Sequence, residues 1–380
     1  MRILYYCQSL VGVGHLACSL RIIEELVPFA DVDLVYGGLD TATMFEHARL
    51  RALRLPTLLH DEDSGGLRDP DEADTVDSIW ALRSAQIGAF VQGRYDAIVV
   101  EFYPFGRRRF KPEIMTMFSA VRDVSGPIPI FTSVREVLVP RPLETERRMV
   151  QTLRRHIHTV FVRSDPDVIR LDHTFSLAHE IEDKLVYTGY ISAPTPATWP
   201  ARKKQILVSQ GGGNVGAELL IGAIGVAPLM PDFHFVLATG SRTSAGDVAK
   251  LQALLRSPNV QIVPFLADFQ RHLRESAASI SMGGDNTLLD VITARTPALA
   301  YPYQGNPEQS LRIEKFAQKG LLTTLAPADL AAEDLKAKIL HAIGAPPSAH
   351  PIATDGARIT SQKIRQIILS GAASRLAAAA

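Results

Sequence analysis

Residues 280–309 read ISMGGDNTLLDVITARTPALAYPYQGNPEQ, and the prediction of the fold starts from them. Its pattern predicts, in order, a strand over 277–282, a glycine turn at Gly283 and Gly284, a helix over about 285–294 and a strand over 298–301. Glycines between a strand and a helix let the backbone come close to an anion, and the first N–H groups and the dipole of the helix point at that anion. The stretch therefore predicts a βαβ unit with a phosphate site.

Polar side chains follow this glycine turn. Asp290 lies inside the predicted helix, and Glu308 and Gln309 lie in what reads as a polar loop after the second strand. A carboxylate can hold ribose hydroxyls through charge-assisted hydrogen bonds, and a polar loop beyond it suits a sugar. The pattern therefore favours a nucleotide-sugar site. The structural alternatives are a solvated Asp290 and glycines that form only a tight turn with close helix packing.

The rest of the chain predicts two α/β halves. A length of 380 residues is more than one compact core usually accommodates. The first half opens with a strand, a GVGH turn and a helix, and the second half repeats this order with QILVS followed by QGGG. We expect two Rossmann-like domains that face each other across a cleft: an acceptor-binding domain over 1–192, a nucleotide-sugar-binding domain over 203–356 and a closing helix over 357–371, with a proline-rich linker over 190–202.

Three titratable side chains of the first half are candidates for a general base. They are His15, which follows the first glycine turn, and Glu101 and Glu136, which follow predicted strands. In open α/β sheets ligands bind beyond the carboxyl ends of the strands. We therefore expect the three side chains around one crevice, together with Gly12 and Gly14. Histidine side chains exchange protons near neutral pH, which suits a general base.

Structural roles for the same side chains stay open. In these readings His15 caps the turn or packs against Tyr5, Glu101 forms an ion pair with Arg107 or Arg108, and Glu136 forms one with Arg135. Arg107, Arg108, Arg109 and Lys111 make a basic cluster beside Glu101. The cluster is either a solvated loop or a contact for an anionic acceptor or membrane headgroups, with Arg107 and Arg108 as the contacting residues.

The composition narrows the class of protein. Lys+Arg and Asp+Glu number 40 each, so no net field attracts nucleic acid, and we expect no nucleic-acid partner. The two cysteines, Cys7 and Cys18, make no disulfide framework, and no Cys/His spacing predicts a metal site. No signal-peptide pattern or long apolar run is present. We expect a cytoplasmic protein without a cofactor. Peripheral contact of the protein with the inner face of the membrane is an alternative, and the oligomeric state stays open.

Three motifs carry a resemblance to a known family: GVGH over 12–15, SQGGGNVGAELL over 209–220 and GGDNTLLDVITARTPALAYPYQ followed by EQ over 283–309. In this order they resemble the GT-B glycosyltransferases of family 28, whose best-known member moves N-acetylglucosamine from a UDP donor. The resemblance implies inverting, metal-independent transfer of a sugar from a UDP-sugar to a hydroxyl or amine acceptor that it does not identify. N-acetylglucosamine is the sugar that it favours.

The resemblance also implies roles for individual residues. Those of the donor site are Gly212, Gly213 and Asn214 at the diphosphate, Gly284 and Thr287 at the second phosphate turn, Asp290 at the ribose, the backbone of Phe265 and Leu266 at the uracil, and Glu308 and Gln309 at the sugar. His15 would lie close to the reacting centre. Arg312 stands where the family has an asparagine, and this departure leaves the donor sugar open.

Two other functions stay open. The same fold accommodates a nucleotide-sugar hydrolase or epimerase, since water that enters the site turns transfer into hydrolysis. A non-catalytic partner subunit is the third reading. In the transferase reading, the glycine loops and helix N-termini supply the positive potential that a leaving diphosphate needs, which fits a second half without a DxD pair.

Overall fold

The chain divides into two compact units in the computed structural model. The first unit comprises Met1–Ile191 together with Asp355–Ala380, and the second comprises Ser192–Thr354. The structure describes residues 1–10, 14–38, 45–60, 66–70, 73–192, 198, 200–211, 215–240, 243–266, 268–303, 305–346 and 352–379. Each unit has its own sheet and its own core, so each is described by itself.

The first unit contains a seven-stranded parallel sheet. Its strands and helices up to residue 191 are β1 Arg2–Gln8, α1 Gly14–Leu26, β2 Asp31–Gly37, β3 Leu50–Arg54, β4 Leu59–His60, β5 Leu67–Arg68, α2 Val76–Phe90, β6 Ala97–Glu101, α3 Lys111–Ser125, β7 Ile130–Arg135, α4 Leu143–His156, β8 Thr159–Arg163 and β9 Leu185–Tyr187. The order in the sheet is β3-β2-β1-β6-β7-β8-β9, and β4 and β5 form a separate antiparallel pair.

Both faces of this sheet are buried, as is typical of parallel sheets covered by helices. Alternate residues of β1 point to different cores. Ile3 and Tyr5 join the core that includes Leu16 of α1, whereas Leu4 and Tyr6 join the core on the other face. The period of two along a strand thus turns a continuous apolar run into two layers of packing.

A buried ion pair crosses one of these layers. Arg83 of α2 is fully buried and donates from Nε and Nη2 to the two carboxylate oxygens of Glu113 in α3, at 2.9 and 2.8 Å. The Tyr6 hydroxyl also donates to Glu113, and the guanidinium carbon of Arg83 lies 5.4 Å from the centre of the Trp80 ring. Burial, and then the charge of Glu113, raise the pKa of Tyr6 well above its usual value. The carboxylate is therefore satisfied by groups from two other elements, α2 and β1.

The second unit contains a six-stranded parallel sheet in the order β12-β11-β10-β13-β14-β15. Its elements are β10 Lys203–Ser209, α5 Ala217–Val226, β11 His234–Ala238, α6 Ala245–Ala253, β12 Val260–Val263, α7 Phe269–Glu275, β13 Ser276–Met282, α8 Asp285–Thr293, β14 Ala298–Tyr301, α9 Pro307–Gln318, β15 Thr323–Thr324 and α10 Ala332–Gly344. The last helix, α11 Gly356–Ala379, belongs to the first unit, where Ile364 and Ile368 share the core of α1.

The structure confirms the doubly wound α/β prediction and the order strand, glycine turn, helix, strand in the stretch over 280–309. One detail of that prediction was wrong. Glu308 and Gln309 lie in the first turn of α9, because Oδ1 of Asn306 accepts from both of their N–H groups at 3.1 and 3.2 Å and Pro307 starts the helix. An Asn N-cap followed by proline is a strong helix start, and it outweighs the loop character of the residues before it.

Within the described residues, no helix combines the length and apolarity that crossing a membrane requires.

Candidate active site

The first group of site residues lies at the carboxyl ends of β1 and β6. His15 is the second residue of α1, and its Nδ1 lies 2.7 Å from Oε1 of Glu101, the last residue of β6. The Glu101 side chain is fully buried, whereas 19% of the His15 side chain is exposed. A neutral imidazole that donates its Nδ1 proton to a carboxylate keeps Nε2 as its proton acceptor. The pair therefore has the form of a general base with an orienting carboxylate.

A second side chain lies close to Glu101, and this one is always cationic. Nη2 of Arg163, the last residue of β8, lies 3.3 Å from the same oxygen, Oε1. Burial by itself would raise the pKa of Glu101, but the charge and hydrogen bond of His15 and the charges of Arg163 and Arg107 outweigh it, so the pKa is lowered. Glu101 is therefore ionised at neutral pH. Its arginine partner in the ion pair is Arg163, whereas the structural reading of the sequence named Arg107 or Arg108.

An aromatic ring lies beside His15. The centre of the Phe102 ring is 5.2 Å from that of the His15 ring, and the guanidinium carbons of Arg107 and Arg135 each lie 5.5 Å from the Phe102 centroid. Phe102 has a left-handed backbone with φ 65°, and a Cβ added to Gly106 would lie 2.4 Å from its ring. The tight turn after β6 thus brings Phe102 next to His15, and Arg107 of this turn and Arg135 at the end of β7 both lie against the Phe102 ring. Sequence reasoning missed Phe102, although the glycine four residues later was a signal.

The other predicted residues of the first unit have different surroundings. Gly14 begins α1, and Gly12 lies outside the described residues. Glu136 is buried just beyond the end of β7. Of the two predicted carboxylates, the one that contacts the His15 ring in the hydrogen bond described above is Glu101. Arg107 donates from Nε to the carbonyl oxygen of Gln8 at 2.6 Å, so it ties the turn after β6 to the end of β1. Arg108 is exposed in the short 3₁₀ helix Arg108–Phe110.

The second group of site residues lies at the carboxyl ends of β10, β13 and β14, which are neighbours in the sheet of the second unit. Gly283 and Gly284 connect β13 to α8, as predicted. A Cβ added to Gly283 would lie 2.6 Å from Cδ1 of Ile313 and 3.0 Å from Cβ of Gln309, and both of these residues belong to α9. The glycine turn and the first turn of α9 are therefore in direct contact.

Gly283→Ala is expected to lower the free energy of unfolding of the second unit by about 1–3 kcal/mol, because the added methyl group overpacks this contact. Gly284→Ala is the matched control. Gly284 has a φ of −64°, which any residue adopts, and its added Cβ would come no closer than 3.8 Å to Thr287. Urea unfolding of both variants is the measurement. Equal stabilities would mean that the turn has room that the structure does not show.

The remaining residues that were predicted to bind the sugar donor lie along the same edge of the sheet. Thr287 and Asp290 are half-buried on α8, and Oε1 of Gln309 accepts from the backbone N–H of Tyr303 at 3.0 Å. Glu308 is half-buried beside Gln309. Phe265 follows β12 with 69% of its surface exposed, and Leu266 after it is half-buried. Gly212, Gly213 and Asn214 lie outside the described residues.

Two further residues form contacts at this edge of the sheet. Sequence reasoning did not predict these contacts. Gln210 is buried, and its Nε2 donates to Oγ1 of Thr243 at 2.8 Å, which links the end of β10 to the turn before α6. Arg312 of α9 is 2% exposed, and its Nε lies 3.8 Å from Oδ1 of Asp285, the first residue of α8. A buried guanidinium thus adds positive charge at the N-terminus of α8, where the helix dipole has the same sign.

A cavity of about 1070 Å³ lies at the opposite end of this sheet. Residues at the amino-terminal ends of β10, β13 and β14 line it, among them Lys203, Ala277 and Ala298. It is therefore separate from the loops described above, and we place the candidate site at the loops. Within the described ranges, no group of three or more His, Cys, Asp or Glu side chains is arranged to hold a metal ion.

Comparison with known proteins gives three kinds of similarity. The model of the glycosyltransferase family 28 C-terminal domain matches residues 208–365. The chain is 26% identical over 163 residues to the UDP-N-acetylglucosamine--N-acetylmuramyl-(pentapeptide) pyrophosphoryl-undecaprenol N-acetylglucosamine transferase of Carboxydothermus hydrogenoformans. That alignment covers 41% of this chain and 43% of the relative, so the chain spans less than half of the relative's length.

Two solved structures cover nearly the whole chain. CalG4, the calicheamicin glycosyltransferase, has a TM-score of 0.59 at 16% identity and covers 99% of this chain and 97% of its own. UGT2 of Phytolacca americana, complexed with UDP-2fluoro-glucose and pterostilbene, has a TM-score of 0.56 at 13% identity and covers 97% and 94%. Two parallel-sheet α/β units of this kind make up the GT-B fold. The part of the chain that matches the model of the glycosyltransferase family 28 C-terminal domain includes the glycine turn and Asp290.

Proposed function

We propose that the protein is an inverting glycosyltransferase that moves a sugar from a UDP-sugar to a hydroxyl or amine acceptor. The contact of 2.7 Å between His15 and the buried Glu101 is the observation that carries this proposal. The relative from Carboxydothermus is named for N-acetylglucosamine transfer from its UDP derivative, and the UGT2 structure holds a UDP-sugar analogue. These names support UDP as the nucleotide and favour N-acetylglucosamine as the sugar.

In the proposed reaction, His15 acts as the general base. Its Nε2 takes the proton of the acceptor while the acceptor oxygen or nitrogen forms a bond to the anomeric carbon of the sugar. The bond from that carbon to the diphosphate oxygen breaks, and UDP leaves with the electron pair. The ionised Glu101 stabilises the imidazolium that results and keeps the ring oriented.

The second unit is proposed to hold the donor. The first N–H groups and the dipole of α8 would stabilise the charge that develops on the diphosphate, and the nearby charge of Arg312 would add to them. Gly284 and Thr287 would face the diphosphate, Asp290 the ribose, Phe265 the uracil, and Glu308 and Gln309 the sugar. We propose that this potential takes the place of a metal ion.

Asp290→Ala is expected to weaken UDP binding about 10- to 100-fold, because a charge-assisted hydrogen bond contributes about 1.5–3 kcal/mol. Calorimetric titration with UDP, dTDP and GDP is the measurement. Asp232→Ala is the control, since Asp232 is 80% exposed and precedes β11 at the other end of the sheet. Selective UDP binding that weakens only in the Asp290 variant supports the donor site.

Other results would contradict the proposal. Absence of binding to any of the three nucleotides would make the chain a non-catalytic subunit. Rapid and complete release of free sugar from a UDP-sugar without an acceptor would make it a hydrolase.

A further inference from the structure

Arg163 shares a carboxylate oxygen with His15. Oε1 of Glu101 lies 2.7 Å from Nδ1 of His15 and 3.3 Å from Nη2 of Arg163. Glu101 ends β6 and Arg163 ends β8, and β7 lies between these strands. The register places Glu101 opposite Ser133 and Arg163 opposite Arg135, so the Arg163 side chain reaches across β7 to the carboxylate. Its side chain is 7% exposed.

Most other groups that face the pair carry no charge at neutral pH. On β1, burial and then the charge of Glu101 raise the pKa of Cys7 to about 12, and burial raises the pKa of Tyr5 above its usual range. Ser19 of α1 interacts with Tyr5, and Ile364 and Ile368 of α11 share the core of Tyr5 and Cys7; none of the three carries a charge. The other cations are Arg107, which is tied to the backbone of Gln8, and Arg135 of β7, which faces Phe102. Within the described part of the chain, Arg163 is thus the arginine whose side chain lies within ion-pair distance of the Glu101 carboxylate.

We propose that Arg163 is a positioning residue for the general base, and that its permanent charge keeps Glu101 ionised beneath a neutral His15. The inference rests on the role proposed for His15. An arginine does not lose its proton in proteins, so it favours the carboxylate at every working pH. It also disfavours a second positive charge on the imidazole. Both effects favour loss of the last proton of the His15–Glu101 pair, and Nε2 of His15 is the atom that then accepts the proton of the acceptor.

Arg163→Met tests this role without any substrate. In the full-length protein labelled with ¹⁵N-histidine, the imidazole signals of the 11 histidines are followed by NMR from pH 5 to pH 9, and the signal lost in His15→Gln is assigned to His15. The titration midpoint of this signal is expected to rise by about one pH unit in Arg163→Met, the effect of removing one close charge. Arg163→Lys, which keeps the charge, is expected to stay near the wild type.

Arg83→Met is the matched control. It removes another buried arginine from a carboxylate of the same unit, at a pair that does not contain His15. Its His15 midpoint is expected to equal that of the wild type, even if its stability falls. If Arg163→Met does not fold, Arg163→Gln removes the same charge with a polar side chain. Two results would overturn the proposal: an unchanged His15 midpoint in Arg163→Met or Arg163→Gln, or a rise in Arg163→Lys as large as that in the uncharged variant.

The kinetic counterpart of the NMR test is the pH profile of kcat/KM for UDP release from UDP-N-acetylglucosamine, in which the acidic limb is followed. Arg163→Met is expected to move this limb to higher pH and to leave the KM for the donor unchanged. A merely structural role would lower the rate equally at every pH. If no UDP-sugar is consumed when hydroxyl and amine acceptors are supplied, the proposed function fails, whereas the NMR midpoint still decides the role of Arg163.

Discussion

Replacing His15 with alanine is expected to lower kcat by about 100- to 10,000-fold, the usual contribution of a positioned general base. The acceptor would then have to lose its proton to solvent. UDP affinity is expected to change by less than about threefold, because the donor residues proposed here lie in the second unit and a base acts mainly in the transition state. The initial rate of UDP release from UDP-N-acetylglucosamine in the presence of hydroxyl or amine acceptors measures kcat, and a calorimetric titration with UDP measures the affinity.

Two variants make this test specific. Glu101→Gln keeps the size of the side chain at 101 but removes its charge, so the imidazolium loses its counter-charge, and kcat is expected to fall about 100-fold or more. His173→Ala removes an exposed histidine of the short 3₁₀ helix Leu171–His173 and is expected to leave kcat unchanged. If His15→Ala retains wild-type turnover, His15 is structural, and Glu136 becomes the candidate base.

Replacing Arg83 with methionine is expected to lower the free energy of unfolding of the first unit by about 3–5 kcal/mol. The change leaves the Glu113 carboxylate, which also accepts from the Tyr6 hydroxyl, buried without the guanidinium that compensates its charge. Arg83→Met combined with Glu113→Leu is expected to recover part of this loss, since the second substitution removes the uncompensated charge. Urea unfolding followed by Trp80 fluorescence is the measurement, in a Trp199→Phe background that leaves one tryptophan in the sequence.

The control for this prediction is an exposed ion pair. Nε of Arg148 lies 3.3 Å from Oε1 of Glu144, with the two side chains 69% and 63% exposed. Arg148→Met is expected to change the free energy of unfolding by less than about 1 kcal/mol, because water solvates both charges before and after folding. Equal losses in Arg83→Met and Arg148→Met would show that burial does not decide the contribution of the Arg83 pair.

Local patterns predicted most of the architecture. The strand over 298–301 and the glycine turn before α8 are observed as predicted. Such elements depend on interactions between residues that are close in the chain: hydrophobic periodicity, glycine backbone freedom and proline stops. The start of α9 was missed although its signal is equally local, because the Asn306 cap follows a segment rich in loop residues.

For the candidate site, the sequence predicted individual residues but not which of them meet. Sequence reasoning named both His15 and Glu101, but as alternative bases, and it assigned Glu101 an arginine that is near in the chain. The structure joins residues 15, 101 and 163 at one oxygen atom. Nothing local connects them, because their distances follow from the order of β1, β6 and β8 in the sheet and from the length of the side chains.

Taken alone, the sequence predicted two α/β halves and the glycine turn before α8, because these are properties of short segments. Only the tertiary structure decided which charged groups meet. Glu101 was matched with Arg163, Arg83 with Glu113, and Arg312 with the start of α8. A buried charge needs a partner within a few ångströms, and which residue supplies that partner depends on how the strands and helices pack.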